Sequence, residues 1–459
     1  MNWKDIKITV MGLGLNQGGV GVVRYLLSRG ARVHITDLKS EQDLQASIQE
    51  VINLEGSERV SWRLGEHQEQ DFLDTEIVIK NPAVPDTNPL IKCAKHHGVM
   101  ILTEGEIFSQ ELRESQTSIT CIGVTGTRGK TTTTVLIYHL LTSVYGVNRV
   151  ALGGNVGLSL LDIVDRFSEL DWIVLELSSF QLTSLTWSPD IAVFTNLFSD
   201  HLNWHGGIEE YFQAKANIFR YQTPDQRLII NGDQDIATRI REIASSQVWE
   251  VSQLKETDAY LYDPNTAQIG EEHIPLCTPL RGEHNYTNIL LAISAARCAG
   301  VSREDIIESL PLFSGAPGRQ ELVTVIDQVE YINDTTSTMP EALVTAIKTF
   351  QDKPFILIAG GENKGLSYQN LASWLPIAKD IIFLPGQASK CMQEICQEQG
   401  QTYYEVSDVC SAVQLSHQLA NSQERVVFSP GATSFGLFHN EFHRGEVFNQ
   451  CLEDLHLKT

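Results

Sequence analysis

One stretch could carry phosphoryl chemistry on its residue types alone: Gly123-Val124-Thr125-Gly126-Thr127-Arg128-Gly129-Lys130-Thr131-Thr132. Glycines let backbone N–H groups converge on an anion, and a helix N-terminus adds partial positive charge. Lys130 would reach the β- and γ-phosphates of a nucleotide, and Thr131 would offer its hydroxyl to Mg²⁺. Gly126, Thr127, Gly129 and Thr132 complete this candidate ATP cradle. The spacing departs from the usual pattern, whose first glycine would fall at Val124. The plain alternative is a glycine turn followed by a surface lysine. Gly-Lys-Thr-Thr between an apolar strand and a helix weighs against it.

Further polar groups interrupt apolar runs. Glu176 lies in Trp172–Leu177, where a carboxylate is costly to bury unless a cation or hydrogen bonds compensate. Mg²⁺ carried on ATP would do so, whereas a strand-end glutamate could instead reach solvent. Asp200-His201 follows the apolar run 191–196, and Lys215 sits on the helix expected after Ile208. An Asp-His pair at the carboxyl end of a strand favours a site more than an isolated histidine does. Asn285 and Asn288, three residues apart near a helix start, read either as caps or as adenine ligands.

These groups need elements to position them. Residues 1–113 read as a first α/β domain, with a strand over 6–11, a helix over 19–29 and a strand over 33–36 that ends at Asp37. The turn Gly12-Leu13-Gly14-Leu15-Asn16-Gln17-Gly18 is Rossmann-like, but its third glycine comes one residue late. It binds a nucleotide, or a diphosphate, or is simply a tight turn; Asp37 meets a ribose or caps the next helix. A strand over 77–79 delivers Lys80 and Asn81 to its carboxyl end. Glu111–Thr117 is polar and reads as a linker into a second domain, 114–314. A third α/β unit, 315–459, has strands near 323–326, 330–333, 355–358, 380–384, 402–406 and 425–429. Its loops Asn333–Thr338, Gly360–Gly365 and Ser429–Phe435 point to one ligand rim. Strand–helix alternation implies mostly parallel sheets covered on both faces.

A length of 459 residues allows roughly three domains of ~150 residues. With 34 Lys+Arg against 57 Asp+Glu the net charge is −23, which disfavours a nucleic-acid partner. The eight cysteines are scattered without a CxxC and read as reduced cytosolic thiols. No apolar run approaches the ~20 residues of a spanning helix, so no membrane span is expected.

In order along the chain, GVTGTRGKTTTT, GGNVG, LELSSFQL, TNLFSDHLNWHG, AKANIF, RGEHNYTNILLA, GRQE, NDTTST, AGGENKG and SPGATSFGLFHNEFHRG are similar to the motifs of the Mur ligases of peptidoglycan synthesis. The likeness covers essentially the whole chain and is greatest to the glutamate-adding members. It implies three domains: a Rossmann-like one for the UDP substrate, a central P-loop ATPase, and a Rossmann-like one for the amino acid. It implies ATP-dependent amide formation, in which the L-alanyl carboxylate of UDP-N-acetylmuramoyl-L-alanine becomes an acyl phosphate that the glutamate amine attacks.

By the same resemblance Lys130, His201 and Lys215 serve the reaction. Thr131, Glu176, His201 and Lys215, the last as a carbamate, would hold one or two Mg²⁺ ions. Asn285, Asn288, Arg319 and Asp334 would contact ATP. Gly14, Leu15, Asn16, Asp37, Asn81 and Asn155 would meet the UDP substrate. Thr335, Thr336, Thr338, Lys364, Ser434 and Phe435 would meet the amino acid. A cytoplasmic monomer is implied.

Three positions depart from the glutamate-adding pattern: Thr336 stands for a lysine, Gly318 for a histidine and Glu441 for an aromatic residue. They leave the ATP chemistry intact and open the amino acid to D-glutamate, the family default, L-glutamate or another. Folylpolyglutamate synthase, which begins with its ATPase domain, is disfavoured by residues 1–113. An NAD-dependent oxidoreductase is disfavoured by the imperfect glycine turn and the P-loop after it. A non-catalytic nucleotide-binding module is disfavoured by Lys130, Glu176, His201 and Lys215 together.

Overall fold

Apolar, β-branched runs form the buried strands, and the segments between them form covering helices. The computed structural model describes residues 1–14, 18–434, 436–438 and 440–457. The expected site residues Leu15, Asn16 and Phe435 lie outside these. The chain divides into two units: Met1–Cys277 with Tyr286–Leu310, and Thr278–Asn285 with Pro311–Thr459.

The first unit holds two sheets. One consists of β1 (Lys7–Met11), β2 (Arg32–Asp37), β3 (Val60–Leu64), β4 (Ile77–Lys80) and β5 (Met100–Leu102). Its order is β3-β2-β1-β4-β5, all parallel. The other consists of β6 (Thr120–Thr125), β7 (Val150–Gly154), β8 (Trp172–Glu176), β9 (Ile191–Phe194), β10 (Arg227–Asn231), β11 (Gln247–Ser252), β12 (Ala259–Asp263), β13 (Thr266–Ile269) and β14 (Glu272–Pro275). Its order is β14-β13-β12-β11-β10-β9-β6-β8-β7, parallel except for the β12–β13–β14 edge. One apolar core serves both sheets, running from Val10, Val20 and Leu26 to Leu161, Ile173 and Phe194.

The linker expected over 111–117 is shorter than the polarity implied. Thr103 and Glu106 close a capping box that starts a helix over Glu104–Glu114, and that helix consumes most of the polar stretch. Helix caps of this kind pair the otherwise unpaired N–H groups of the first turn.

The second unit holds β15 (Glu321–Ile326), β16 (Val329–Asn333), β17 (Phe355–Ala359), β18 (Asp380–Phe383), β19 (Tyr403–Glu405) and β20 (Arg425–Phe428), ordered β15-β16-β20-β17-β18-β19. Only β15–β16 is antiparallel. Alternate residues of one strand feed opposite faces: Phe355, Leu357 and Ala359 join one core, and Ile356 and Ile358 the other. The expectation of reduced thiols throughout is corrected at one pair. Cys410 and Cys451 are joined by a disulfide between the Val409–Leu419 and Glu441–His456 helices. These helices pack side by side, which brings together cysteines 41 residues apart in sequence.

Candidate active site

The central sheet delivers its functional groups at the carboxyl ends of β6, β8 and β9. β6 ends at Thr125, and the loop to the helix Lys130–Tyr145 is pinned by its neighbours. Thr127 N–H donates to Asn196 O at 3.0 Å, and Arg128 N–H to Asn196 Oδ1 at 2.8 Å. Thr195 Oγ1 donates to Arg128 O at 2.6 Å. Gly126 and Gly129 have positive φ, and a Cβ on them would strike Thr195 Oγ1 and Asn288 Oδ1 respectively. Asn288 thus packs against the cradle, where its Oδ1 also accepts from Thr133 Oγ1 at 3.5 Å. Thr131 and Thr132 follow Lys130 in the helix's first turn, and Lys130 Nζ donates to Thr127 O at 3.0 Å.

Glu176 ends β8 beside Val124 of β6 and Gly154 of β7. Its residue is 1% exposed. Oε1 accepts from Asn155 Nδ2 at 2.8 Å, and Oε2 has no partner. A buried carboxylate oxygen left over is the mark of a cation's place. Lys215, also 1% exposed, donates from Nζ to Gly126 O at 2.6 Å and stands over the Tyr211 ring. Burial, followed by the charge of Lys130, pushes its pKa well below the usual ammonium range; Asp200 and Glu176 pull the other way. Lys130, Glu176, Asp200 and Lys215 therefore share one electrostatic site. Among the described residues no three His, Cys, Asp or Glu side chains converge on a metal position. The unpartnered Glu176 Oε2 fits a hard cation, and Lys215 fits the same site only if its positive charge is lost.

His201 has φ +51°, its side chain is 49% exposed, and its backbone N–H donates to Asp200 Oδ1 at 3.0 Å. Its ring leans on Phe180, which also packs against Trp204 and His205. The Trp204 indole N–H donates to Ala83 O at 2.8 Å, tying this loop to the one after β4. The sequence offered no signal for that bond beyond an aromatic residue in a polar loop.

At the first sheet, Asp37 Oδ2 accepts from Gly14 N–H at 3.1 Å and Oδ1 from Lys39 N–H at 2.9 Å. Asn81 packs against Gly12 and closes its own turn, its Oδ1 accepting from Ala83 N–H at 3.0 Å. A cavity beside Asn81 is lined by Gly12, Gly18, Gly19, Lys80, Asn81 and Glu104. Glu104 was not singled out in the sequence.

In the second unit the three expected loops do form one rim. Ser429 Oγ donates to Asp334 Oδ2 at 2.6 Å, and Thr433 N–H to Glu362 O at 3.2 Å. Arg444, buried on the Glu441–His456 helix, donates to Thr335 O at 2.6 Å and Ala432 O at 3.1 Å. Burial lowers the Arg444 pKa to about 10 and raises that of Asp334 to about 7. Ser434 is buried, Thr338 half-buried, and Lys364 and Arg319 are exposed. Two of the departing positions touch: Thr336 Oγ1 donates to Gly318 O at 2.8 Å, and a Cβ on Gly318 would meet Thr336 Cγ2 at 3.1 Å. Glu441 begins the C-terminal helix, where an acid is favoured by the helix dipole. Asn285 Nδ2 donates to Arg281 O at 2.7 Å, so one of its amide groups is engaged locally.

Residues 124–296 match the Mur ligase middle domain, and 6–103 match the Mur ligase MurD-like N-terminal domain. The chain is 36% identical over 471 residues to a UDP-N-acetylmuramoylalanine--D-glutamate ligase of Roseiflexus sp., covering 97% of each. Its fold is similar to that of UDP-N-acetylmuramate-alanine ligase MurC from Thermotoga maritima, with TM-score 0.64, 18% identity, and 98% and 100% of the two chains covered. It is also similar to the MurF ligase of Thermotoga maritima in complex with ADP, with TM-score 0.58, 18% identity, and 98% and 96% covered.

Proposed function

The chain belongs to the Mur ligase family, and from that premise we propose that it joins D-glutamate to UDP-N-acetylmuramoyl-L-alanine with ATP, in peptidoglycan precursor synthesis. The observation that carries the reading is the convergence of a P-loop, a buried carboxylate with one oxygen unpartnered and a buried lysine on one sheet edge. Full-length likeness to a D-glutamate ligase supports the amino acid.

Lys130 and the N–H groups around Gly126–Gly129 bind the β- and γ-phosphates and hold them against the developing charge. An oxygen of the L-alanyl carboxylate attacks the γ-phosphorus, and ADP leaves. The glutamate amine then attacks the acyl carbon, the tetrahedral adduct expels phosphate, and the amine's proton is released. His201 serves the reaction with Lys130 and Lys215, and Asn155 meets the sugar-nucleotide side. Thr131, Glu176, His201 and Lys215, the last as a carbamate, would hold one or two Mg²⁺ ions, which would supply neutralisation of phosphate charge. Burial and the charge of Lys130 favour the neutral form of the Lys215 amine, whose lone pair can attack CO₂, form an N–C bond and release a proton. The carbamate that results matches the sign of charge this site calls for. Gly14, Asp37 and Asn81 hold the UDP moiety. Asn285, Asn288, Arg319 and Asp334 serve the nucleotide of ATP, and the rim of Thr335, Thr336, Thr338, Lys364 and Ser434 serves glutamate. The same reading makes the chain a cytoplasmic monomer. Among the described residues no helix is long and apolar enough to cross a membrane.

The test is phosphate release from ATP with UDP-N-acetylmuramoyl-L-alanine, with D- and L-glutamate side by side. Turnover with D-glutamate that is lost in Lys130→Ala supports the reading. Turnover with L-glutamate alone would assign the Gly318–Thr336 pair a change in stereochemical choice. Turnover with neither overturns it.

A further inference from the structure

The cavity at the first strand–helix turn contains a group that an anion pocket should repel. Gly18 and Gly19 open the helix Gly18–Ser28 at this cavity, so the free N–H groups of its first turn lie there. Glu104 lines the same cavity and is 7% exposed. Its carboxylate is held from one side. Oε1 accepts from Ser159 Oγ, and the amides of Leu160 and Leu161 also hold the carboxylate. Oε2 lies 3.7 Å from where a Cβ on Gly18 would stand.

The neighbouring charges are already engaged. Asp162, the other acid beside Glu104, is paired with Arg24, which also pairs with Glu50. Lys80, the pocket's cation, donates to Val84 O and pairs with Asp86. Glu106 is turned back onto Thr103. Burial, with Asp162 adding to it, raises the Glu104 pKa to about 6. A carboxylate and a phosphate oxygen set against the same glycines repel each other. A carboxylic acid removes the repulsion and makes Oε2 a donor to that oxygen.

We propose that Glu104 is a binding residue for the diphosphate of the sugar nucleotide and acts as the neutral acid, taking one proton from solvent as the diphosphate enters. The proposal rests on the reading of the first sheet as the UDP site.

The experiment is calorimetric titration of the full chain with UDP-N-acetylmuramoyl-L-alanine, in buffers of different ionisation enthalpy, between pH 6 and pH 8.5. Its diphosphate diester does not titrate in this range. Uptake approaching one proton is expected, with affinity falling close to tenfold per pH unit above the free enzyme's Glu104 pKa. Glu104→Gln should remove both the uptake and the slope. Ser159→Ala takes a donor from the charged form, so it should move the fall to higher pH while leaving the acid in place. Binding without uptake, or the same uptake in Glu104→Gln, overturns the proposal alone. No binding at pH 6 overturns both the proposal and the reading beneath it.

Discussion

Glu176 is the side chain at which a single atom matters most. Its neighbour Asn155 satisfies one oxygen and nothing satisfies the other. Glu176→Gln keeps the shape and the Asn155 bond but removes the charge. Steady-state assays should show turnover reduced at least about a hundredfold and a higher Mg²⁺ requirement. The urea midpoint should hold or rise, because an uncompensated buried charge is gone. Gly318→Ala should cost ~1 kcal/mol in urea unfolding, since φ is +67° and Thr336 is in the way. Thr336→Lys breaks the bond to Gly318 O and should change the KM for glutamate rather than for ATP. Glu176 was legible because an acid interrupts an apolar run. Glu104 was not, because no apolar run or spacing sets it apart from Glu106; the fold shows that Thr103 and Glu106 close a capping box around it. One tetrapeptide does both jobs, and only the fold shows that its second residue turns towards the glycines.

Strand–loop–helix units carry the rest of the chemistry. Alanine at Gly126 or Gly129 puts a methyl into Thr195 or Asn288. Either variant should lose the thermal shift given by ATP while retaining that given by the UDP substrate. The P-loop, the doubly covered sheets and the rim of three loops could all be read from apolar runs ending in glycine and polar residues. The β12–β13–β14 edge could not, because its strands AYLYD, TAQI and EHIP are interrupted by polar residues and form no apolar run. Nor could the disulfide, since cysteines 41 residues apart follow no spacing rule. Cys410→Ser with Cys451→Ser should lower the stability of the oxidised protein by ~2–4 kcal/mol. Dithiothreitol should reproduce that loss in the unmodified chain and leave the double variant unchanged.

Across the whole molecule, a net charge of −23 opposes the approach of anionic ATP, sugar nucleotide and glutamate. Raising salt from ~0.01 M to ~0.15 M shortens the screening length from ~30 Å to ~8 Å. The kcat/KM for ATP should therefore rise over that range at fixed free Mg²⁺, the reverse of a protein that attracts its substrate from afar. The order of the chain through its two units has another outcome. Thr278–Asn285 belongs with the second unit although Tyr286–Leu310 returns to the first. Arg281 is bound into the second unit by Glu330 and Asp352, the acids that also neutralise buried Arg425. A chimera that imports another ligase's second unit through one crossover near residue 311 would leave that unit's own half of the charge network behind. Recombination between such enzymes must therefore exchange two separate stretches together, or inherit an arginine and two acids that no longer match.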